Sequence, residues 1–176
     1  MTEAIKKNGV TFGIIMAAYM VLRGTIMYAV DLNLFTSGWI KLIDFIVTVA
    51  ISVIAVFKAK SAQGGFISFK DAFVVYFINN LIGLVAYCIF IIVLFNVIDP
   101  AAKEIVNEYT IKSSIEGMQK FGVDSKTLRE TAVNMRKSNV YSTGNQLMGL
   151  PISIAISCIV GLIIAAIMKK NKPEFQ

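Results

Sequence analysis

Four long apolar stretches limit what this chain can fold into: residues 9–30, 39–57, 72–98 and 145–168. About 20 helical residues, at roughly 1.5 Å each, cross the hydrocarbon core of a bilayer. Each stretch is near that length, and a water-soluble domain of 176 residues has no use for four of them. The whole chain is 56% hydrophobic, against about 45–50% for soluble domains. The expected fold is an all-α membrane protein, a single domain over residues 1–176. Four transmembrane helices form a bundle, with an extracytoplasmic helical segment, 99–144, between helices three and four.

Charge and composition exclude several classes of function. The net charge is +6, but no basic run is interleaved with stacking aromatics, so nucleic acid is not an expected partner. The lysines flank the apolar stretches, where they set orientation. There is no histidine, which removes the usual general base and the commonest metal ligand. A Ser–His pair is thereby impossible, and an aspartyl dyad needs two buried carboxylates where only Asp44 lies within a span. Cys88 and Cys158 lie inside spans, lack Cys-x-x-Cys spacing and read as small apolar packing residues, not a disulfide. The expectation is no catalytic residue, no metal and no cofactor. The first stretch resumes after Arg23 and has no small-x-small cleavage site, so an uncleaved helix is favoured over a signal peptide.

Positive charge alternates along the connectors. Lys6 and Lys7 precede the first stretch, and the connector 31–38 has no Lys or Arg. Lys58, Lys60 and Lys70 surround the second connector, and Lys169, Lys170 and Lys172 follow the last stretch. The charge rule then puts both termini in the cytoplasm, with Tyr28 and Trp39 at the outer interface.

The segment 99–144 carries seven basic and six acidic residues, a balance compatible with export. Asp99-Pro100 has the form of an N-cap followed by proline at the first helical position. Ala102, Ile105, Val106 and Tyr109 share one face, while Ile111, Ile115 and Met118 share another, so a bend or restart is expected near Ser113. Phe121-Gly122 is a stop, and Asp124 caps a second helix with Leu128, Ala132 and Met135 on one stripe. The alternative is a mobile loop. Gly64-Gly65 lacks the Gly-Lys-Ser/Thr of a phosphate loop and reads as a turn, after which Ser68 and Asp71 open helix three.

Polar residues inside the spans are the candidate site. Arg23 and Asp44 fall at similar depths on adjacent antiparallel helices, a geometry suited to an ion pair. One reading is a structural clasp; the other is a polar cavity open to the outside that binds an ion or small anion. Asn79 and Asn80 read as interhelical glue. Gly9, Gly13 and Ala17 make a ridge of small residues on helix one, as do Ser153, Ser157, Gly161 and Ala165 on helix four. Such ridges let backbones approach closely in lipid. Helix one against helix four is the first expectation, and homodimerisation through one ridge the second.

The run Gly65-Phe66-Ile67-Ser68-Phe69-Lys70-Asp71-Ala72-Phe73, followed after a long span by Ile98-Asp99-Pro100, resembles a known pattern. It is similar to a bacterial domain-of-unknown-function family of four-span inner-membrane proteins. That resemblance implies a bacterial inner membrane and four helices, and no activity. The leading functional reading is a non-enzymatic inner-membrane protein acting by packing or by partner contact, with its outer helical loop as the interaction surface. Its partners would be the lipid bilayer and either another protein or a second copy of the chain. The alternative is a small transporter or channel subunit with a crevice at Arg23 and Asp44.

Overall fold

A computed structural model describes residues 3–172. Six α-helices follow in order: α1 (Glu3–Val30), α2 (Gly38–Ser61), α3 (Phe69–Val93), α4 (Pro100–Lys120), α5 (Ser125–Lys137) and α6 (Thr143–Met168). A 3-10 turn, Leu32–Phe35, joins α1 to α2, and a π turn, Leu94–Ile98, ends α3. Four of these helical segments are long and apolar enough to cross a membrane: Glu3–Val30, Gly38–Ser61, Phe69–Ile98 and Thr143–Met168. They outrun the apolar stretches because their ends are polar but still good helix formers.

The exposed surface of these helices is the reverse of a soluble protein's. Ile14, Leu22 and Ile26 on α1 are at least half exposed, as are Phe45 and Ile46 on α2 and Ile152, Ile156 and Ile163 on α6. Only 17–28% of each apolar window is buried within the chain. In water such an apolar surface would be a severe aggregation liability; in lipid it is the solvent-facing side.

Contacts group the chain into two compact units. Unit 1 comprises Met1–Val21, Phe45–Tyr87 and Leu150–Gln176; unit 2 comprises Leu22–Asp44 and Cys88–Gly149.

In unit 1 the buried cluster joins Ile5 of α1, Ala55, Val56 and Ala59 of α2, Ala72, Val75 and Tyr76 of α3, and Ile164 and Ala165 of α6. Small residues set the spacing, but on a different partner from the one expected. Added Cβ atoms at Gly9 and Gly13 would meet Ile78 and Ile82 of α3, and one at Gly161 would meet the Tyr76 ring, also on α3. Gly9 and Gly13 of α1 and Ser157 and Gly161 of α6 thus face α3. The reason is shape: α3 presents branched and aromatic knobs, and glycines supply the holes. Ala165 is buried and Ala17 half-buried, whereas Ser153 is exposed. The α2–α3 connector closes with Gly64 and Gly65 at φ +73 and +87, values that glycine adopts readily. Ser68 then opens α3 through a reciprocal cap: its Oγ accepts from the Asp71 N–H and donates to the Asp71 carboxylate.

In unit 2 the segment between α3 and α6 is a built helical hairpin. Asp99 caps α4, accepting from the Ala102 N–H at 2.9 Å, with Pro100 at the first position. Of the bend or restart expected near Ser113, there is no restart: α4 is one unbroken helix through it. The buried face is Ala102, Val106, Asn107 and Ile111, whereas Ile105 and Tyr109 are 47% and 37% exposed. That stripe drifts around the helix in a way that only packing could select. Helix α4 ends in a Schellman turn: Val123 N–H bonds Met118 O, Gly122 N–H bonds Gln119 O, and Gly122 takes φ +77. Asp124 caps α5 through the Lys126 and Thr127 N–H groups, and Leu128 is buried.

Candidate functional site

Arg23 and Asp44 form an ion pair through guanidinium Nη1 and carboxylate Oδ2 at 2.5 Å. Their side chains keep 17% and 22% of their exposure, so the pair is largely but not fully enclosed. Arg23 lies two turns before the end of α1, and Asp44 nearly two turns after the start of α2, which the short 3-10 connector turns back on α1. Gly24, next to Arg23, is buried against the Phe90 ring, where an added Cβ would lie 2.5 Å from Cε1. The close approach of α1 to α3 there fixes the backbone that carries Arg23.

A second polar assembly in unit 2 stitches the hairpin to the ends of the long helices. The π turn leaves the Asp99 N–H bonded to Leu94 O at 2.8 Å, and Asp99 accepts from the Tyr28 hydroxyl at 2.8 Å. Asn96 donates to Tyr141 O and Ile92 O, and accepts from Lys103 Nζ at 3.4 Å. Asn107, buried on α4, accepts from the Val140 N–H. Arg136 of α5 grips Glu108 of α4 with two bonds of 3.0 and 3.1 Å. Fully buried Phe95 stands between Phe35 and Tyr141, edge to face with each at 5.4 and 5.2 Å. Sequence reading put Tyr28 at the outer interface without its partner and passed over Asn96, Asn107 and Tyr141, whose partners lie far along the chain.

Local charge follows this geometry. The Ala102 N–H, then the Tyr28 hydroxyl, hold the Asp99 carboxyl below its ordinary range. Thr127 does the same for Asp124 through its hydroxyl and its N–H. Glu108 raises Arg136, and burial pushes the Tyr141 phenol up against the opposing Thr110 bond. Beside α4 lies an open cleft of about 270 Å³, lined by Asn33, Thr36, Ser37 and Gly38 from the α1–α2 connector and by Tyr109, Lys112, Ser113 and Glu116 from α4. Its lining is polar and carries both signs of charge.

In unit 1, Asn79 and Asn80 converge on one hydroxyl. Both Nδ2 groups donate to Ser52 Oγ, at 2.9 and 3.0 Å, and Ser52 donates in turn to Thr48 O. Adjacent residues on a helix point about 100° apart, so it is a single acceptor between them that lets both reach α2. Asn80 also bonds Tyr76 O, while Asn79 Oδ1 is buried with no hydrogen-bond partner among the described residues. Tyr76 and Ser157 join α3 to α6 through their hydroxyls at 3.2 Å. At the end that carries the lysines, Lys60 Nζ donates to Met168 O, and Ile67 pairs with Lys170 in an isolated bridge.

Chemically, these arrangements lock helices together and orient a polar hairpin. Cys88 and Cys158 are free thiols, and among the described residues no three His, Cys, Asp or Glu side chains gather as a metal site. No curated protein and no solved structure matches the chain. A family described as "Protein of unknown function (DUF4199)" matches residues 7–170, nearly the whole chain. With its four apolar helices and the helical hairpin before the last of them, this chain belongs to the DUF4199 family.

Proposed function

We propose that the chain is a non-enzymatic protein of a bacterial inner membrane, with both termini in the cytoplasm, that binds a protein partner through the α4–α5 hairpin on its outer side. One observation carries the reading. The hairpin is a fixed surface, held at Asp99 by Tyr28, at Asn107 by Val140 and across its two helices by Arg136–Glu108. Loops are ordinarily variable and loosely packed. A connector tied down at this many points, with exposed charges at Lys112, Glu116 and Glu130, is organised to present a shape. The lysines around both termini and the second connector support the orientation, and the lack of histidine supports a non-enzymatic role.

The test is lysine-directed crosslinking with a reagent that does not cross membranes, applied to intact cells making the tagged full chain. A specific partner crosslinked through Lys112 supports the reading, and charge reversal at Lys112 and Glu116 weakens that capture. Labelling of Lys169 and Lys170 in place of the hairpin lysines overturns the orientation. Equal capture by the charge-reversed chain overturns the surface.

A second reading, a transporter or channel subunit, is favoured by the residual exposure of Arg23 and Asp44. Ion flux in vesicles that disappears in Asp44→Asn, with the fold retained, would select it.

A further inference from the structure

Helix α4 meets the ends of three long helices in succession. Its N-cap, Asp99, bonds Tyr28 in the last turn of α1, and Lys103 reaches Asn96 in the π turn that ends α3. Farther along, Tyr109, Lys112, Ser113 and Glu116 share a cleft with Thr36, Ser37 and Gly38, where α2 starts. In a chain of four antiparallel spans, the end of α1, the start of α2 and the end of α3 all lie at the same membrane face. From Asp99 to Glu116 is about 25 Å at 1.5 Å per residue. A helix that touches all three ends over that length runs across the face, in the plane of the interface.

Helix α4 continues beyond the cleft residue Glu116 and ends on an exposed aromatic ring. One turn beyond Glu116 comes the Schellman turn, Phe121-Gly122-Val123. Phe121 is 91% exposed, the most exposed large apolar side chain among the described residues. Trp39, which follows Gly38 of the same cleft, is 77% exposed. Exposed Lys120, Lys126 and Arg129 flank the turn in sequence, while the nearby Asp124 carboxylate is occupied by Thr127 and two N–H groups. An exposed aromatic ring with cations near it in sequence has the chemistry of the boundary between acyl chains and lipid phosphates. At the same face of the spans Val97 and Ile98 are 72% and 65% exposed.

We propose that the turn at 121–123 is an interfacial anchor. Phe121 enters the headgroup–acyl boundary of the bilayer alongside Trp39, and Lys120, Lys126 and Arg129 face the lipid phosphates. The occupant of this surface is lipid. Helix α4 is thereby fixed at both ends, by the Tyr28–Asp99 bond at one and by the bilayer at the other. The inference rests on the four-span layout and is independent of which side of the membrane the face occupies and of any protein partner.

Trp39 is the single tryptophan, so Trp39→Phe combined with Phe121→Trp moves the one fluorescent reporter to the tip. The full chain is reconstituted into vesicles of phosphatidylcholine and phosphatidylglycerol. The expected result is blue-shifted emission, protection from aqueous acrylamide, and quenching by lipids brominated near the headgroup end of the acyl chain. Free access to acrylamide without bromolipid quenching overturns the proposal. Protection from acrylamide without bromolipid quenching also overturns it, because protein, as in a second copy of the chain, then covers the tip. Val123→Trp with Trp39→Phe asks the same question from the other side of Gly122 should the Phe121 variant fold poorly.

Discussion

The Tyr28 hydroxyl donates to the Asp99 carboxylate at 2.8 Å, and the same carboxylate caps α4 through the Ala102 N–H. One side chain therefore both starts the hairpin and ties it to the end of α1. The π turn makes this double role available, since its wide bond from the Asp99 N–H to Leu94 O ends α3 with the carboxylate turned toward Tyr28.

The hairpin should loosen in acid. Asp99 and Asp124 both titrate below the ordinary aspartate value of 3.8 when folded. A lowered folded value means that the stabilisation is fully present above the ordinary value and is lost as pH falls through the folded one. Amide-exchange protection of α4 and α5 should accordingly drop below about pH 4. The Asp99→Asn, Asp124→Asn variant keeps acceptors at both caps but does not titrate there, so its protection profile should be flatter. An unchanged acid profile in that variant would assign the transition to other groups.

Asp44→Ala should be among the most damaging substitutions in the spans. It leaves the Arg23 guanidinium without its carboxylate in a largely enclosed place, where breaking an ion pair costs about 3 kcal/mol. Thermal unfolding in detergent should shift downward and membrane yield should fall. Arg23→Asp with Asp44→Arg should recover part of both. Additive losses in the exchange variant would show that the two residues act independently.

Ser52→Ala and Asn79→Leu should differ although they break the same hydrogen bond. Removing Ser52 Oγ takes the acceptor from two buried amides, at about 1–3 kcal/mol for each donor left unsatisfied. Asn80 retains Tyr76 O, so most of the loss should come from Asn79. Asn79→Leu removes the donor together with the partnerless Oδ1, and should cost markedly less. Comparison of the two unfolding midpoints in detergent checks the order.

Two glycine-to-alanine changes should have opposite signs. At Gly161 a Cβ would press into the Tyr76 ring, which its bond to Ser157 holds in place; overpacking of this kind costs about 1–3 kcal/mol. At Gly117, inside α4, the new methyl meets nothing, and the gain in helix propensity should add about 0.5–1 kcal/mol. Melting curves of the two variants decide both.

The four apolar helices, the caps at Asp99 and Asp124, the stop at Gly122 and the turn at Gly64-Gly65 were all set by local sequence. Solvent, capping geometry and backbone sterics act over a few residues, so short patterns determine them. The partners of the small-residue ridges, the buried face of α4 and the meeting of Asn79 and Asn80 at Ser52 depended on tertiary structure alone. In lipid every helix is apolar all round, so periodicity does not say which face is inside. Complementary shapes and the few polar groups that must find partners make that choice. A glycine on α1 becomes a hole only where Ile78 or Ile82 of α3 supplies the knob.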